Sequence, residues 1–145
     1  MVIRHEGGGK WEAVPILAYK ENSGIFKDVT RQVLFDGDAR LPCQLRYFEI
    51  APGGHSTLER HEHVHLVVIL RGQGRVLIGS RVHSIDEKDV ITITSNTWHQ
   101  FRATAGVPLG FLCLVNSTRD RPVLPNADDL REMQGAPEVA DFLRE

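Results

Sequence analysis

The chain has 145 residues, of which 41% are hydrophobic, and a formal net charge of −2. That is the size and composition of one globular domain with a core of its own. Acidic and basic residues are interspersed and no basic run occurs, so neither nucleic acid nor an anionic membrane surface is an expected partner.

The start, residues 1–12, is polar and glycine-rich, lacks the apolar core of a signal peptide, and is expected to be loosely ordered. From residue 13 to 125 the chain reads as short strands separated by turn residues. Expected strands are 14–19, 26–35, 44–51, 65–70, 75–78, 81–85, 90–94, 98–103 and 109–115. The turns between them carry Asp36-Gly37-Asp38, Pro52-Gly53-Gly54, Arg71-Gly72-Gln73-Gly74 and Gly79-Ser80. Many short strands at regular spacing predict an all-β sandwich or barrel. Residues 126–145 change character: Asn126 suits the cap of a helix reaching Met133, and Pro137 the first turn of a last helix ending near Arg144. This helical tail is expected to pack on the barrel. No stretch approaches the ~20 apolar residues of a membrane span. A cytoplasmic setting follows as the default. Cys43 and Cys113 lie in no metal-ribbon or CxxC spacing and read as two buried thiols, a single disulfide between them being left open.

The chemistry is concentrated between Gly53 and Gly72. Four of the seven histidines, His55, His61, His63 and His65, fall within eleven residues. In an extended chain, side chains two apart share a face, so Glu59, His61, His63 and His65 would point at one locus. Burying a carboxylate and three imidazoles without a partner is costly, and a divalent cation is the natural compensation.

Here the sequence resembles the cupin superfamily. The first cupin motif runs glycine, five residues, His-x-His, three or four residues, Glu, six residues, glycine. In this chain Gly53 is followed at the same spacing by Glu59, His61, His65 and Gly72. Glutamate stands at the first histidine position and His65 at the glutamate position, so the carboxylate has changed corner. In the second motif, which Thr94-Ser95-Asn96-Thr97-Trp98-His99 matches, His99 is the key residue retained. The resemblance implies a double-stranded β-helix, the jelly-roll barrel of the cupins, holding one divalent metal through Glu59, His61, His65 and His99.

The ligand set does not select among iron(II), manganese, nickel, copper and zinc. His63 has the right parity and stands as an alternative fourth ligand, or with Glu59 as a catalytic base. Alternation in the strand before the motif separates Gln44, Arg46, Phe48 and Ile50 from Leu45, Tyr47 and Glu49, and which set faces inward is open. An inward Arg46 would favour a carboxylate substrate by paired hydrogen bonds, the alternative being Arg46 and Glu49 on the outer surface. Phe101, Phe111 and Cys113 are candidate wall residues.

The resemblance implies a metal-dependent enzyme, dioxygenase-like, acting on a small oxygen-rich molecule. A lyase or isomerase, a non-catalytic ligand-binding or sensing module, and a purely structural metal site are the alternatives. It also implies a homodimer, with strand 26–35 as the segment for exchange.

Overall fold

The computed structural model describes residues 1–19 and 27–145, with Lys27 described for its backbone alone. The first strands are β1 (His5–Gly7), β2 (Lys10–Trp11), β3 (Leu17–Ala18), β4 (Lys27–Phe35) and β5 (Cys43–His55). They are followed by β6 (His65–Gly72), β7 (Gly74–Ile78), β8 (Arg81–Ile85), β9 (Val90–Ile93), β10 (His99–Ala103) and β11 (Leu109–Asn116). Two helices, α1 (Ala127–Met133) and α2 (Pro137–Arg144), close the chain. Phe26, expected to open a strand, lies outside the described residues, and of the strand expected over 14–19 only Leu17–Ala18 pairs.

Among the described residues, one antiparallel sheet runs β8-β7-β10-β5-β11-β6-β9, with β4 on the other side of β5 and β3 beside β4. The sheet curls around a single apolar interior. Period-two alternation does the sorting: Phe48 and Ile50 of β5, Val67 and Ile69 of β6, and Leu109, Phe111, Cys113 and Val115 of β11 all point inward. Tyr47, one residue out of phase with Phe48, is buried on the opposite face beneath Trp11, ring centroids 4.7 Å apart, and its hydroxyl donates to Glu49 at 2.8 Å. The glycine-rich start thus forms a β1–β2 hairpin lying over the outer face of β5.

The Pro52-Gly53-Gly54 triplet was expected to end its strand, yet β5 continues through it to His55. Gly53 takes φ +72°, a left-handed conformation open mainly to glycine, and its N–H donates to Thr104 O. The strand bends there and changes partner: residues up to Ile50 pair with β11, while His55 pairs with Arg102 of β10. The bend leads the chain directly into the histidine-rich loop. At Gly72, also φ +72°, any Cβ would run into the Pro108 carbonyl, so glycine is required there on two counts.

The helices cover the outside of β7. Val76 faces the barrel interior, whereas Leu77 turns outward into a second apolar cluster with Met133, Val139 and Phe142. Asn126 caps α1 by accepting the N–H groups of Asp128 and Asp129, and Asp129 returns the bond, completing a capping box. Pro137 opens α2 as expected. Among the described residues, no helix is long and apolar enough to cross a membrane. Phe142 is fully buried. Truncating it by Phe142→Ala is expected to destabilise the fold by about 3–5 kcal/mol, read as a lower urea midpoint with an unchanged slope.

Candidate metal centre

The bend at Gly53 delivers the chain into a cavity of about 320 Å³ at one end of the barrel. Glu59, His61, His63, His65 and His99 all line it. They do not reach it as one extended ribbon. Residues 62–63 form a bend, and β6 begins only at His65. The four side chains of shared parity, Glu59, His61, His63 and His65, therefore meet at one cavity through a bent backbone and not an extended one. What holds the loop is long-range: Glu59 and His99 exchange backbone hydrogen bonds at 3.2 and 3.0 Å, and the His61 carbonyl accepts the Asn96 N–H at 2.7 Å. Arg60 pairs with Val123 in the same manner.

Three imidazoles converge. One nitrogen from each of His61, His65 and His99 lies within 4.8 Å of the others, and Nε2 of His61 is 2.8 Å from Nε2 of His65. His61 and His99 are almost fully buried. Each ring is tethered through its other nitrogen. His61 Nδ1 donates to the His63 carbonyl at 3.0 Å and His99 Nδ1 to the Thr97 carbonyl at 2.9 Å. His65 Nδ1 lies 2.9 Å from Cys113 Sγ. A carbonyl can only accept, so His61 and His99 carry their protons on Nδ1 and turn unprotonated Nε2 atoms toward one point. That is the tautomer a metal requires, fixed by the groups behind the ligands. The donor set fits a divalent transition metal.

Burial enforces the same protonation state. Desolvation, reinforced by the neighbouring rings of His99 and His63, lowers the His61 pKa from 6.5 to about 4. Desolvation followed by His99 and His61 lowers His65 to about 2, and burial also lowers His99. Glu59 is 8% exposed and stands beside His99 without belonging to the tight imidazole set. His63 stacks flat on His61, centroids 3.7 Å apart, and its Nδ1 is 2.7 Å from Asp120 Oδ1.

Asp120 is a residue that the sequence reading missed. It accepts the backbone N–H groups of Glu62 and His63 at 2.8 and 3.1 Å, and these bonds hold its carboxyl well below the usual carboxylate range. It lies 57 residues from His63, in a stretch without alternation or motif spacing, so nothing local announced it. Arg31 and Arg119, which also line the cavity, were missed for the same reason. Arg46 is settled as an inward residue, 7% exposed, and Phe101, Phe111 and Cys113 form part of the wall. Both cysteines are free thiols.

A curled antiparallel barrel with histidines gathered at one mouth defines a cupin. Residues 46–115 match the cupin domain family, and the chain belongs to it. It is 52% identical over 135 residues, 92% of this chain and 86% of the other, to 1-methylthio-D-xylulose 5-phosphate methylsulfurylase of Rhodospirillum rubrum. Among solved structures it resembles a cupin 2 conserved barrel domain protein from Rhodopseudomonas palustris, with 48% identity, 98% of each chain covered and a TM-score of 0.93. A cupin-2 domain protein from Rhodospirillum rubrum is 50% identical, covering 97% of this chain and 94% of that one, with a TM-score of 0.90.

Lowered histidine pKa values fix the sign of the pH dependence in metal-free protein. The unfolded chain takes up protons below about 6.5, whereas the folded imidazoles stay neutral to about 4 and lower. Stability is therefore complete above pH 6.5 and falls as the pH drops, by up to about 1.4 kcal/mol per pH unit for each imidazole held neutral. Urea melts of chelator-treated protein between pH 7.5 and 4.5 should show that slope, and His61→Asn should flatten it.

Proposed function

We propose that this chain is a metal-dependent enzyme acting on a phosphorylated ketose that carries a methylthio group, the kind of substrate named for its Rhodospirillum rubrum relative. The observation that carries the reading is the convergence of three oriented imidazoles at the floor of a cavity of ligand size, in a chain 52% identical to that relative. The relative's name supports chemistry at a carbon–sulfur bond in place of the dioxygenase-like reaction expected from the sequence.

His61, His65 and His99 would hold the ion, with Glu59 as the nearby carboxylate. A divalent metal bound there supplies Lewis acidity toward a carbonyl oxygen, here that of the ketose. The remaining work belongs to the side chains. His63, with Nδ1 engaged by Asp120, keeps Nε2 for moving a proton, the carboxylate fixing its tautomer and orientation. Glu59 is a second proton carrier on the same cavity. Phe101 and Phe111, stacked with centroids 4.6 Å apart, provide apolar wall that excludes water and suits a thioether. The Cys113 thiol lies on that wall as well.

The purified protein is expected to consume 1-methylthio-D-xylulose 5-phosphate, to lose that activity on chelation and to regain it with added divalent metal. His61→Ala and His99→Ala should abolish stoichiometric metal binding, measured by elemental analysis, while the strand signature in circular dichroism persists. Glu59→Gln should keep the metal and lower kcat by roughly 10²–10⁴-fold, the usual worth of a proton carrier. Loss of the metal in that variant would make Glu59 a fourth ligand instead. Full turnover by metal-free protein would refute the proposal.

A further inference from the structure

Three arginines face the cavity from separate elements. Arg31 comes from β4, Arg46 from β5 and Arg119 from the segment after β11. β4 and β5 are in register with Arg31 opposite Phe48 and Arg46 opposite Val33, so both guanidinium stems rise from the same face of the sheet. Arg46 is nine-tenths buried, and its Nε has no hydrogen-bond partner among the described residues. The Nε of Arg31 is likewise buried and unpartnered. Arg119 donates to the carbonyls of Asn116 and Ser117; burial, then the positive charges of Arg46 and Arg31, lower its pKa, against a smaller opposing pull from Cys113 and Asp36.

What is absent from this end of the cavity matters as much. Among the described residues, none of the three guanidiniums makes an ion pair with a carboxylate. Among the described residues, the two acidic ones lining the cavity are Glu59, beside His99, and Asp120, tied to His63 and the loop amides. Arg46 makes only a 3.4 Å contact to Cys113 Sγ and lies over the Phe48 ring at 5.0 Å. Three cations gathered in a partly desolvated pocket repel one another and have lost water without gaining an ion pair among the described residues. A folded chain tolerates that arrangement where a ligand brings the missing charge. A phosphate monoester carries about −1.5 to −2 at neutral pH and presents three acceptor oxygens, which planar guanidiniums can engage in pairs.

We propose that Arg31, Arg46 and Arg119 form the subsite that grips the phosphate of the substrate, with Cys113 between Arg46 and the imidazoles. This rests on the reading of the substrate as a sugar phosphate. The placement also gives the substrate a direction. Cys113 Sγ touches Arg46 on one side and His65 Nδ1, at 2.9 Å, on the other, so a single thiol separates the anion grip from the imidazole cluster. A ligand anchored by its phosphate on the arginines extends its far end over the histidines.

The test uses the metal-loaded protein with Arg31→Gln and Arg119→Gln; neither residue touches the imidazole cluster. Binding of inorganic phosphate, followed by titration calorimetry, should weaken at least tenfold in each variant, with metal content and melting temperature unchanged. For 1-methylthio-D-xylulose 5-phosphate, KM should rise at least tenfold while kcat falls far less, and the wild-type advantage should vanish with the dephosphorylated sugar. Phosphate affinity that is indifferent to both arginine substitutions, or that is lost with His99→Ala alone, overturns the subsite. Should wild-type protein bind phosphate through these arginines yet leave the phosphorylated thio-sugar untouched, the subsite stands and the proposed substrate fails.

Discussion

The demand that three imidazoles be buried together and yet remain neutral governs the architecture of this protein. Each ring loses water at the same point, and protonating any of them would place a cation among its neighbours. The fold meets the demand by giving each ring a partner for its outer nitrogen: the His63 carbonyl, the Thr97 carbonyl and the Cys113 sulfur. Those three partners come from the loop between β5 and β6, the turn before β10, and β11. The barrel must close before any of the tethers exists, so the donor geometry is a product of the whole sheet.

The cavity is electrostatically divided. Its imidazoles are accompanied by the carboxylates Glu59 and Asp120, whereas Arg31, Arg46 and Arg119 make no ion pair with a carboxylate among the described residues. Cys113 is the boundary, a thiol whose pKa burial pushes up while Arg46 pulls it down. A molecule with a carbonyl at one end and an anion at the other fits this polarity in a single orientation. The apolar rings of Phe48, Phe101 and Phe111, stacked in series, form wall between the poles.

Local pattern and long-range structure diverge in an instructive way around the first motif. The strands from His65 onward were legible because short apolar runs such as 66–70 and 76–78 are bounded by the glycine turns at 71–74 and 79–80. The helical tail was legible because Asn126 and Pro137 act on their own immediate backbone. The strand end at Pro52 was misread, since a glycine that permits a break also permits a bend, and only the Thr104 carbonyl decides between them. Asp120, Arg31 and Arg119 were invisible for a related reason: each gains its role from contacts with distant segments, and none of them interrupts or extends a pattern.

The sequence by itself determined that a histidine-rich segment at cupin spacing sits between β-strands, and that His99 returns to it from afar, because donor type and spacing are written locally. It could not decide which of Glu59 and His63 joins the imidazole set, or whether Arg46 faces in or out. Those are questions of sheet curl and strand phase. Tertiary structure answered the second by placing β5 between β4 and β11, which turned Arg46 and Phe48 inward and Tyr47 outward; on the first it contributes the loop anchored through Asp120, with His63 lying flat on His61. Strand phase is absolute only once the neighbouring strands and the covering hairpin are in place, and for that reason the grouping of Arg31 and Arg119 with Arg46 emerged from the fold alone.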